Sequence, residues 1–177
     1  MSENDPELSP IADLARKVIE SYVGLGKIPD VSDSLDELRN RKAGVFVCLK
    51  KRGKLRGCIG TIEPVAGNLA EEIRNNAISS ATEDPRFPAV GPDELPDLEY
   101  SVDVLEEPED VPDISHLDPG VYGVIVRSGR RSGLLLPDLE GVDTAEEQVR
   151  IASMKAGIMP GEPVRLLRFK VTRYGQA

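Results

Sequence analysis

The sequence has no tryptophan, a single histidine and two cysteines, and aromatic residues make up 4% of it. The lone histidine, His116, is the one candidate for a Cys–His dyad. Since no CxxC pair or histidine cluster is present, an ordinary zinc site is excluded. No CxxxCxxC run could hold a radical-SAM iron–sulfur cluster, and no GxGxxG or GxxxxGK(S/T) loop could hold nucleotide phosphates. We therefore expect neither a metal nor a cofactor.

Basic residues are also scarce, because 22 Lys and Arg stand against 31 Asp and Glu, for a net charge of −9. This acidic excess argues against binding to nucleic acid and to anionic membranes. No run of about 18 apolar residues is available to span a bilayer. The polar, acidic start MSENDPELSP is unlike a signal peptide, and two cysteines fit a reducing compartment. We expect a cytoplasmic protein.

The length and composition suit a globular chain with its own core. A chain of 177 residues matches one domain of ordinary size, and 40% of its residues are hydrophobic. Because aromatics are few, the core must consist of Val, Leu, Ile and Ala. We expect a flexible tail at residues 1–9 and a single domain of two lobes at 10–177.

Hydrophobic periodicity predicts both helices and strands. Helical spacing recurs at 11–22, 65–82 and 144–156, with Thr144 as a cap, and a short helix capped by Ser34 is expected at 34–40. Strands are predicted for GVFVCL, LRGCIGTI, LEYSVDVL, GVYGVIV, SGLLLP and PVRLLRFKV. Hairpins dominate this pattern, so it indicates an α+β fold, with a mainly antiparallel sheet and flanking helices.

The strand LRGCIGT, at 55–61, contains an arginine, a cysteine and two glycines, a costly combination for a strand. Strict alternation puts Arg56 and Cys58 on one face, provided that no bulge intervenes. A guanidinium beside a thiol favours the nucleophilic thiolate. Gly60 would leave a hollow beside the sulfur, and Gly57 would admit a ligand or another backbone. The simpler alternative is a buried structural Cys58 next to a bulge.

Cys48, on the preceding strand, raises the question of a disulfide. With a turn of two or four residues, Cys48 faces Gly57 and Cys58 faces Val47, which puts the thiols on opposite faces. A three-residue turn at 52–54 sets the two cysteines opposite each other. The sequence leaves this register open. The expected cytoplasmic location argues against a bond, and we interpret Cys48 as a core residue.

Charged residues cluster in three further segments. The turns KKRGKLR and RSGRR are basic, and they are either solvated hairpin tips or a subsite for a carboxylate, a phosphate or an acidic partner. The proline-rich stretch 84–96 is long for a loop within a compact domain. There, Asp84 and Arg86 either form a capped turn or close over the face that carries Arg56 and Cys58.

The segment LRGCIGT resembles the signature of the AMMECR domain family. The resemblance extends from about residue 10 to 174, through the blocks DPRFPAV, DELPDLEYSVDVL, GVYGVIVRSGRRSGLLLPDLEGVDTAEEQ and KAGI. The short LLLPDLEGVDT form is similar to the prokaryotic branch called AmmeMemoRadiSam system protein A. Tyr122 stands where many members of the family have a histidine.

The resemblance implies an α+β domain of two lobes, with LRGCIGT beside a cleft between them. It also implies a genomic association with a Memo-like protein and a radical-SAM protein, which we therefore expect as partners. We expect an enzyme or enzyme component acting on a small anionic molecule, and the alternative is an adaptor that binds a peptide or partner protein in the same cleft. The candidate catalytic residues are Cys58 and Arg56, and the candidate substrate-binding residues are Gly57, Gly60, Thr61, Asp84 and Arg86.

Overall fold

A computed structural model describes residues 9–175 of the chain. Its α-helices are α1 (Pro10–Leu25), α2 (Asp36–Arg39), α3 (Leu69–Thr82) and α4 (Ala145–Lys155). Its strands are β1 (Val45–Lys51), β2 (Lys54–Thr61), β3 (Leu98–Leu105), β4 (Glu109–Val111), β5 (Gly123–Ser128), β6 (Arg131–Leu135), β7 (Arg165–Phe169) and β8 (Val171–Gly175). The predicted mixture of helices and antiparallel strands is confirmed. Within the described range, no helix combines the length and the apolar character needed to cross a bilayer.

The strands form two antiparallel sheets, which include two short strands, β4 and β8, that the sequence did not predict. One sheet has the order β2-β1-β3-β8 and the other the order β4-β7-β5-β6. The chain divides accordingly into two compact units. Of the described residues, the first unit contains 9–104 and 173–175, and the second is Leu105–Thr172.

The first unit packs α1 and α3 on one face of its sheet. Every second residue of β1, namely Val45, Val47 and Leu49, is fully buried in this core. The apolar faces of α1 and α3 complete it, since a half-buried strand needs a cover for its apolar side. The intervening β1 residues, which include Phe46 and Cys48, point to the opposite face and are half-buried.

Side-chain caps define where the principal helices begin. Ser9 accepts a hydrogen bond from the N–H of Ala12 at the start of α1, and Asn68 caps α3 in the same way. Thr144 caps α4 as predicted. Ser34 is not the cap of α2, because that helix begins at Asp36 with no side-chain cap. The expected flexible tail lies outside the described residues, apart from Ser9.

The hairpin of β1 and β2 combines a tight turn with a β-bulge. Arg52 and Gly53, at the turn, both have positive φ, as in the type I′ turns that suit two-residue hairpins. Lys50 pairs with Leu55, but Leu49 pairs with Gly57, so one β2 residue has no partner. That residue is Arg56, and beyond it the register is shifted by one position.

The second unit consists of its four-stranded sheet and α4. Its core includes Val124, Val126 and Ala152, all fully buried. The buried Gln148 of α4 donates a hydrogen bond to the carbonyl of Tyr122, 2.8 Å away. The Tyr122 ring lies 4.2 Å from the guanidinium carbon of Arg168, a cation–π contact. None of the seven candidate catalytic or substrate-binding residues at 56–61, 84 and 86 belongs to this unit.

Candidate functional site

The register of the hairpin brings the two cysteines directly opposite each other, and the structure joins them in a disulfide. The interpretation of Cys48 as an unbonded core residue is therefore wrong. A two-residue turn alone would have separated the thiols, but the bulge adds the residue that aligns them. Their Cα atoms are 4.1 Å apart, the close spacing of a non-hydrogen-bonded pair. The N–H and C=O of Cys58 consequently point away from β1, toward the open edge of the sheet.

Because a bulge intervenes at Arg56, the condition under which Arg56 and Cys58 were expected to share a face is not met. Arg56 and Lys51 both bind the carboxylate of Glu94. Lys51 comes two positions after the core-facing Leu49 on β1, and alternate residues of a strand lie on the same face. Arg56 donates from Nε and Nη2 to the two oxygens of Glu94, at 3.0 and 2.9 Å. Its Nη1 donates to the carbonyl of Pro88 at 2.9 Å. Arg56 therefore pairs with Glu94 rather than with Asp84.

Glu94 is the acceptor that organises this end of the hairpin. Besides Arg56, it accepts hydrogen bonds from Lys51 Nζ at 2.9 Å and from the N–H of Gly91 at 3.2 Å. The bonds from Arg56 and then Lys51 lower the pKa of Glu94 to about 2. Its side chain is 17% exposed and that of Arg56 12% exposed, so the pair is largely shielded from water. Glu94 is therefore charged at every physiological pH.

Asp84 and Arg86 occupy the exposed edge of β2 at Cys58. Asp84 Oδ2 accepts a hydrogen bond from the N–H of Cys58 at 2.9 Å, and Arg86 Nη2 donates to the carbonyl of Cys58 at 3.3 Å. These are the two backbone groups that a further strand would have bound. Asp84 and Arg86 therefore contact the edge of the sheet, and they do not close over one of its faces as one of the two predictions had it.

Asp84 holds Arg86 in a fixed orientation. Arg86 donates from Nε to Oδ1 at 3.0 Å and from Nη2 to Oδ2 at 2.7 Å, a bidentate pair. These bonds, together with the one from the N–H of Cys58, hold the pKa of Asp84 well below its usual range. The side chain of Asp84 is 2% exposed, whereas that of Arg86 is 53% exposed. Nη1 of Arg86 has no hydrogen-bond partner among residues 9–175.

An aromatic ring connects the two arginines. The ring centroid of Phe87 lies 5.9 Å from the guanidinium carbon of Arg56 and 5.5 Å from that of Arg86. We call the group formed by these residues and their partners the β2-edge cluster; it consists of Arg56, Cys58, Asp84, Arg86, Phe87 and Glu94. Within it, Arg56 is neutralised by Glu94, while Arg86 still presents free donors to solvent.

The glycines of the motif have packing partners of their own. A Cβ on Gly57 would lie 2.3 Å from the carbonyl oxygen of Ser80 in α3, so the predicted close approach of another backbone is observed. A Cβ on Gly60 would lie 2.3 Å from the ring of Phe46 and 2.4 Å from the carbonyl oxygen of Val45. The expected hollow beside the sulfur is thus filled by Phe46.

Thr61 lies at the far end of β2, in a different network. Its hydroxyl donates to Oε1 of Glu72 at 2.6 Å and accepts from Asn76 Nδ2 at 3.2 Å. Oε2 of Glu72 also accepts from the N–H groups of Val65 and Ala66, at 3.0 and 2.7 Å. Glu72 is 1% exposed, so this network ties α3 to the segment that follows β2.

The predicted site residues therefore fall into two groups, and their functional roles stay predictions. Cys58, Arg56, Asp84 and Arg86 meet at the β2-edge cluster, whereas Thr61 lies apart from it. Sequence reasoning missed Glu94 and Phe87. Glu94 lies 38 positions from Arg56, and no short-range pattern connects them. A cluster of five cations in KKRGKLR was a signal that some acidic partner should be sought.

These features define an α+β chain in which a glycine-containing hairpin strand presents a polar cluster at the edge of a sheet. The family model AMMECR1 matches residues 12–176. The chain belongs to this family, in agreement with the resemblance of its motifs.

Relatives of known sequence and structure support this assignment. A protein of Thermotoga maritima is 57% identical over 168 residues, which cover 93% of this chain and 97% of that protein. A protein of Clostridium acetobutylicum is 51% identical over 173 residues, which cover 97% of this chain but only 37% of that protein. A crystal structure of a Pyrococcus horikoshii protein matches with a TM-score of 0.86 at 34% identity, covering 94% of this chain and 89% of that one.

Substitution of Gly57 tests the contact between β2 and α3. We expect Gly57→Ala to lower the free energy of unfolding by about 2–3 kcal/mol, because the added methyl would overlap a helix carbonyl that cannot move alone. Chemical denaturation measures the loss. Gly24→Ala is the matched control, since a Cβ there meets only the end of Leu95, 3.6 Å away. Equal stability of the two variants would contradict the observed packing.

Substitution of Arg56 tests its pairing with Glu94. We expect Arg56→Ala to cost about 3 kcal/mol at neutral pH, because it leaves a shielded carboxylate without its main partner. Since that partner depresses the folded pKa of Glu94 to about 2 from an ordinary 4.5, its stabilisation is present above pH 4.5 and is lost as the pH falls toward 2.

Denaturant midpoints of wild type and Arg56→Ala, measured between pH 7 and pH 2, check this dependence. The difference should shrink steadily below pH 4.5. Arg52→Ala serves as control, because Arg52 is 79% exposed and its ion pair with Asp97 is expected to contribute at most about 1 kcal/mol. A difference that persists unchanged at pH 2 would show that Arg56 stabilises the fold by packing rather than by charge.

Proposed function

We propose that this protein binds a small anionic molecule at the β2-edge cluster and is a component of a cytoplasmic enzyme system. The observation that carries the proposal is the state of Arg86. Its guanidinium is oriented by two bonds to the nearly buried Asp84, yet half of its side chain is exposed and Nη1 remains free among the described residues. A cation fixed in this way binds a carboxylate or a phosphate without first losing rotational freedom.

The neighbours of Arg86 support an anionic ligand of small size. Phe87 offers an aromatic ring whose centroid lies 5.5 Å from the guanidinium carbon of Arg86 and 5.9 Å from that of Arg56. Glu94 pairs with Arg56 and Asp84 pairs with Arg86, so the ligand would bind the solvent-facing donors of Arg86 rather than an uncompensated charge. The overall charge of −9 favours a small anion over a large one, because the rest of the surface repels large polyanions.

We further propose that the protein acts together with a Memo-like and a radical-SAM protein, as the family branch AmmeMemoRadiSam system protein A implies. The relative from Clostridium acetobutylicum supports a joint action in general terms, since the matched region covers 37% of that longer protein. A domain that occurs alone in one species and as part of a longer chain in another suits a component of a multi-protein system.

An adaptor that binds a partner protein is the second candidate, and the bonding of Cys58 favours it. In the structure, Cys58 is disulfide-bonded and Arg56 is held by Glu94, so neither offers a free nucleophile or acid. In this alternative, the exposed Arg86 would bind an acidic side chain of the partner. The two candidates differ in whether a free anion competes with the partner.

Anion binding is tested with inorganic phosphate as the probe. We expect phosphate to shift the backbone amide resonance of Cys58, because that N–H shares Asp84 with Arg86. Arg86→Gln should weaken the apparent affinity by about tenfold or more, the loss expected for a charge-assisted hydrogen bond. NMR titrations at constant ionic strength, with chloride replacing phosphate, measure the effect.

Two further variants separate binding from folding in this titration. Arg86→Lys keeps the charge but not the bidentate fork, so it should retain only part of the affinity. Arg52→Gln removes an exposed cation from the nearby turn and should leave the affinity unchanged. If Arg52→Gln weakens binding as much as Arg86→Gln, general electrostatic attraction accounts for the effect and the proposed site is wrong.

The partner proposal predicts a physical association. We expect the tagged protein, expressed with a Memo-like and a radical-SAM protein from the same organism, to retain at least one of them after mild crosslinking. Arg86→Glu should reduce the recovery if the β2-edge cluster lies in the contact, and Arg130→Glu, in the turn of the second unit, is the matched charge reversal. Recovery of neither partner by the wild type would overturn the proposal.

A further inference from the structure

We propose that Cys48 and Cys58 form a redox-active pair that exchanges its disulfide with a dithiol, and that Cys58 is the sulfur released as a thiolate. The chemical class of the reductant is a vicinal or closely spaced dithiol, as found in small redox proteins. Thiol–disulfide exchange can be measured whether or not phosphate binds, so its test is independent of the proposed anionic ligand.

The position of the pair makes it accessible to a reductant. Both cysteines are half-buried and project from the sheet face opposite α1 and α3, outside the core of the first unit. β2 is the outermost strand of its sheet, so no further strand covers Cys58 on that side. Exposed disulfides are reduced more readily than enclosed ones, and neither cysteine of this pair is fully buried.

The hairpin does not need the bond to keep its register. The cysteines are separated by 10 positions, within a hairpin that the type I′ turn, the bulge and the ladder to β1 already define. A disulfide stabilises a protein mainly by restricting the unfolded chain, and this effect is smallest for short loops. The bond between Cys48 and Cys58 therefore adds less stability than a crosslink between distant residues would. β1 is also held on its other side by β3. The reduced hairpin should therefore stay folded.

The surroundings of the two sulfurs differ, which gives the pair a direction. Arg86 Nη2 lies 3.3 Å from the carbonyl oxygen of Cys58, so its positive charge lies beside this residue. Asp84, which binds the N–H of Cys58, is nearly buried, whereas half of the Arg86 side chain is exposed, so the positive end of this ion pair is the one that faces solvent beside Cys58. A nearby cation stabilises a thiolate, and the better-stabilised thiolate is the better leaving group.

The exchange proceeds in two balanced steps. A thiolate of the dithiol attacks Sγ of Cys48; the bond between Cys48 and Cys58 breaks, and its electron pair leaves on Sγ of Cys58. The second thiol of the reductant then ionises and attacks the sulfur of the reductant that is bonded to Cys48 in the mixed disulfide. This attack releases Cys48, which takes up a proton. Two electrons pass from the dithiol to the protein, the dithiol becomes a disulfide, and its second proton goes to solvent while Cys58 stays ionised.

The edge contacts of Cys58 allow the bond to form again. Asp84 and Arg86 bind the backbone of Cys58 and not its sulfur, so they hold this residue opposite Cys48 in the reduced state as well. A thiolate kept within reach of its partner recloses as soon as an oxidised dithiol accepts the electrons. Reversible exchange, rather than a single reduction, is therefore the expected behaviour.

The first experiment measures reversibility on the intact protein. The folded protein is equilibrated in buffers of varied ratio of dithiothreitol to its oxidised form, quenched with iodoacetamide and weighed by mass spectrometry. We expect the doubly alkylated fraction to follow this ratio in both directions while the near-native NMR spectrum persists. A pair that stays oxidised in excess dithiothreitol, or that is reduced only when the protein unfolds, would overturn the proposal.

The second experiment identifies the ionised sulfur in the reduced protein. Peptide mapping after brief treatment with iodoacetamide at pH 7 should show faster alkylation of Cys58 than of Cys48. Arg86→Gln should slow the alkylation of Cys58 by about tenfold, the change that one pKa unit produces. Arg86→Lys should keep most of the rate, and Arg52→Gln all of it. Equal rates at the two cysteines, or a rate that Arg86→Gln leaves unaltered, would refute the assignment of Cys58.

Discussion

The bulge at Arg56 shifts β2 against β1 by one residue, and a shift of one residue turns every following side chain to the other face. Beyond the bulge, Cys58 meets Cys48, and Gly57 faces the carbonyl of Ser80 in α3. Without it, the cysteines would lie on opposite faces. The arginine at the bulge is held by Glu94, so the ion pair fixes the position at which the strand departs from regular pairing.

The edge of β2 depends on a second polar pair. An outer strand exposes unpaired N–H and C=O groups, which favour association with other strands. Asp84 and Arg86 satisfy both groups at Cys58, and do so with side chains from the turn that follows α3. Because Asp84 is nearly inaccessible to water, its negative charge is committed to this contact. Arg86 is the partner that faces solvent, so the covered edge presents guanidinium donors to it.

Most of the secondary structure was predictable, since it follows from local patterns. The periods of α1, α3 and α4 and the turn chemistry of the two hairpins mark these elements correctly. The strand β4 was missed because a three-residue strand carries little alternation of its own. The strand β8 was missed because only Lys170 separates it from β7, and the last strand was predicted to end at Val171. The bulge was missed because alternation assumes uninterrupted pairing. The acceptor Glu94 was missed because it is remote from Arg56 in the sequence. A carboxylate in its loop segment gives no sign that it has a partner there.

The motif that first suggested a site owes its residue types largely to packing. Gly57 admits a helix carbonyl, Gly60 makes room for an aromatic ring, Thr61 completes a buried hydrogen-bond network, and Arg56 binds a shielded carboxylate. These constraints explain why two glycines and an arginine occur in a strand without assigning a reaction to them. What remains for function is the chemistry that the strand presents at its boundary: the sulfur of Cys58 and the exposed guanidinium of its neighbour. The function that we propose for this unit therefore depends on the edge of the sheet, where side chains from outside the motif complete the cluster.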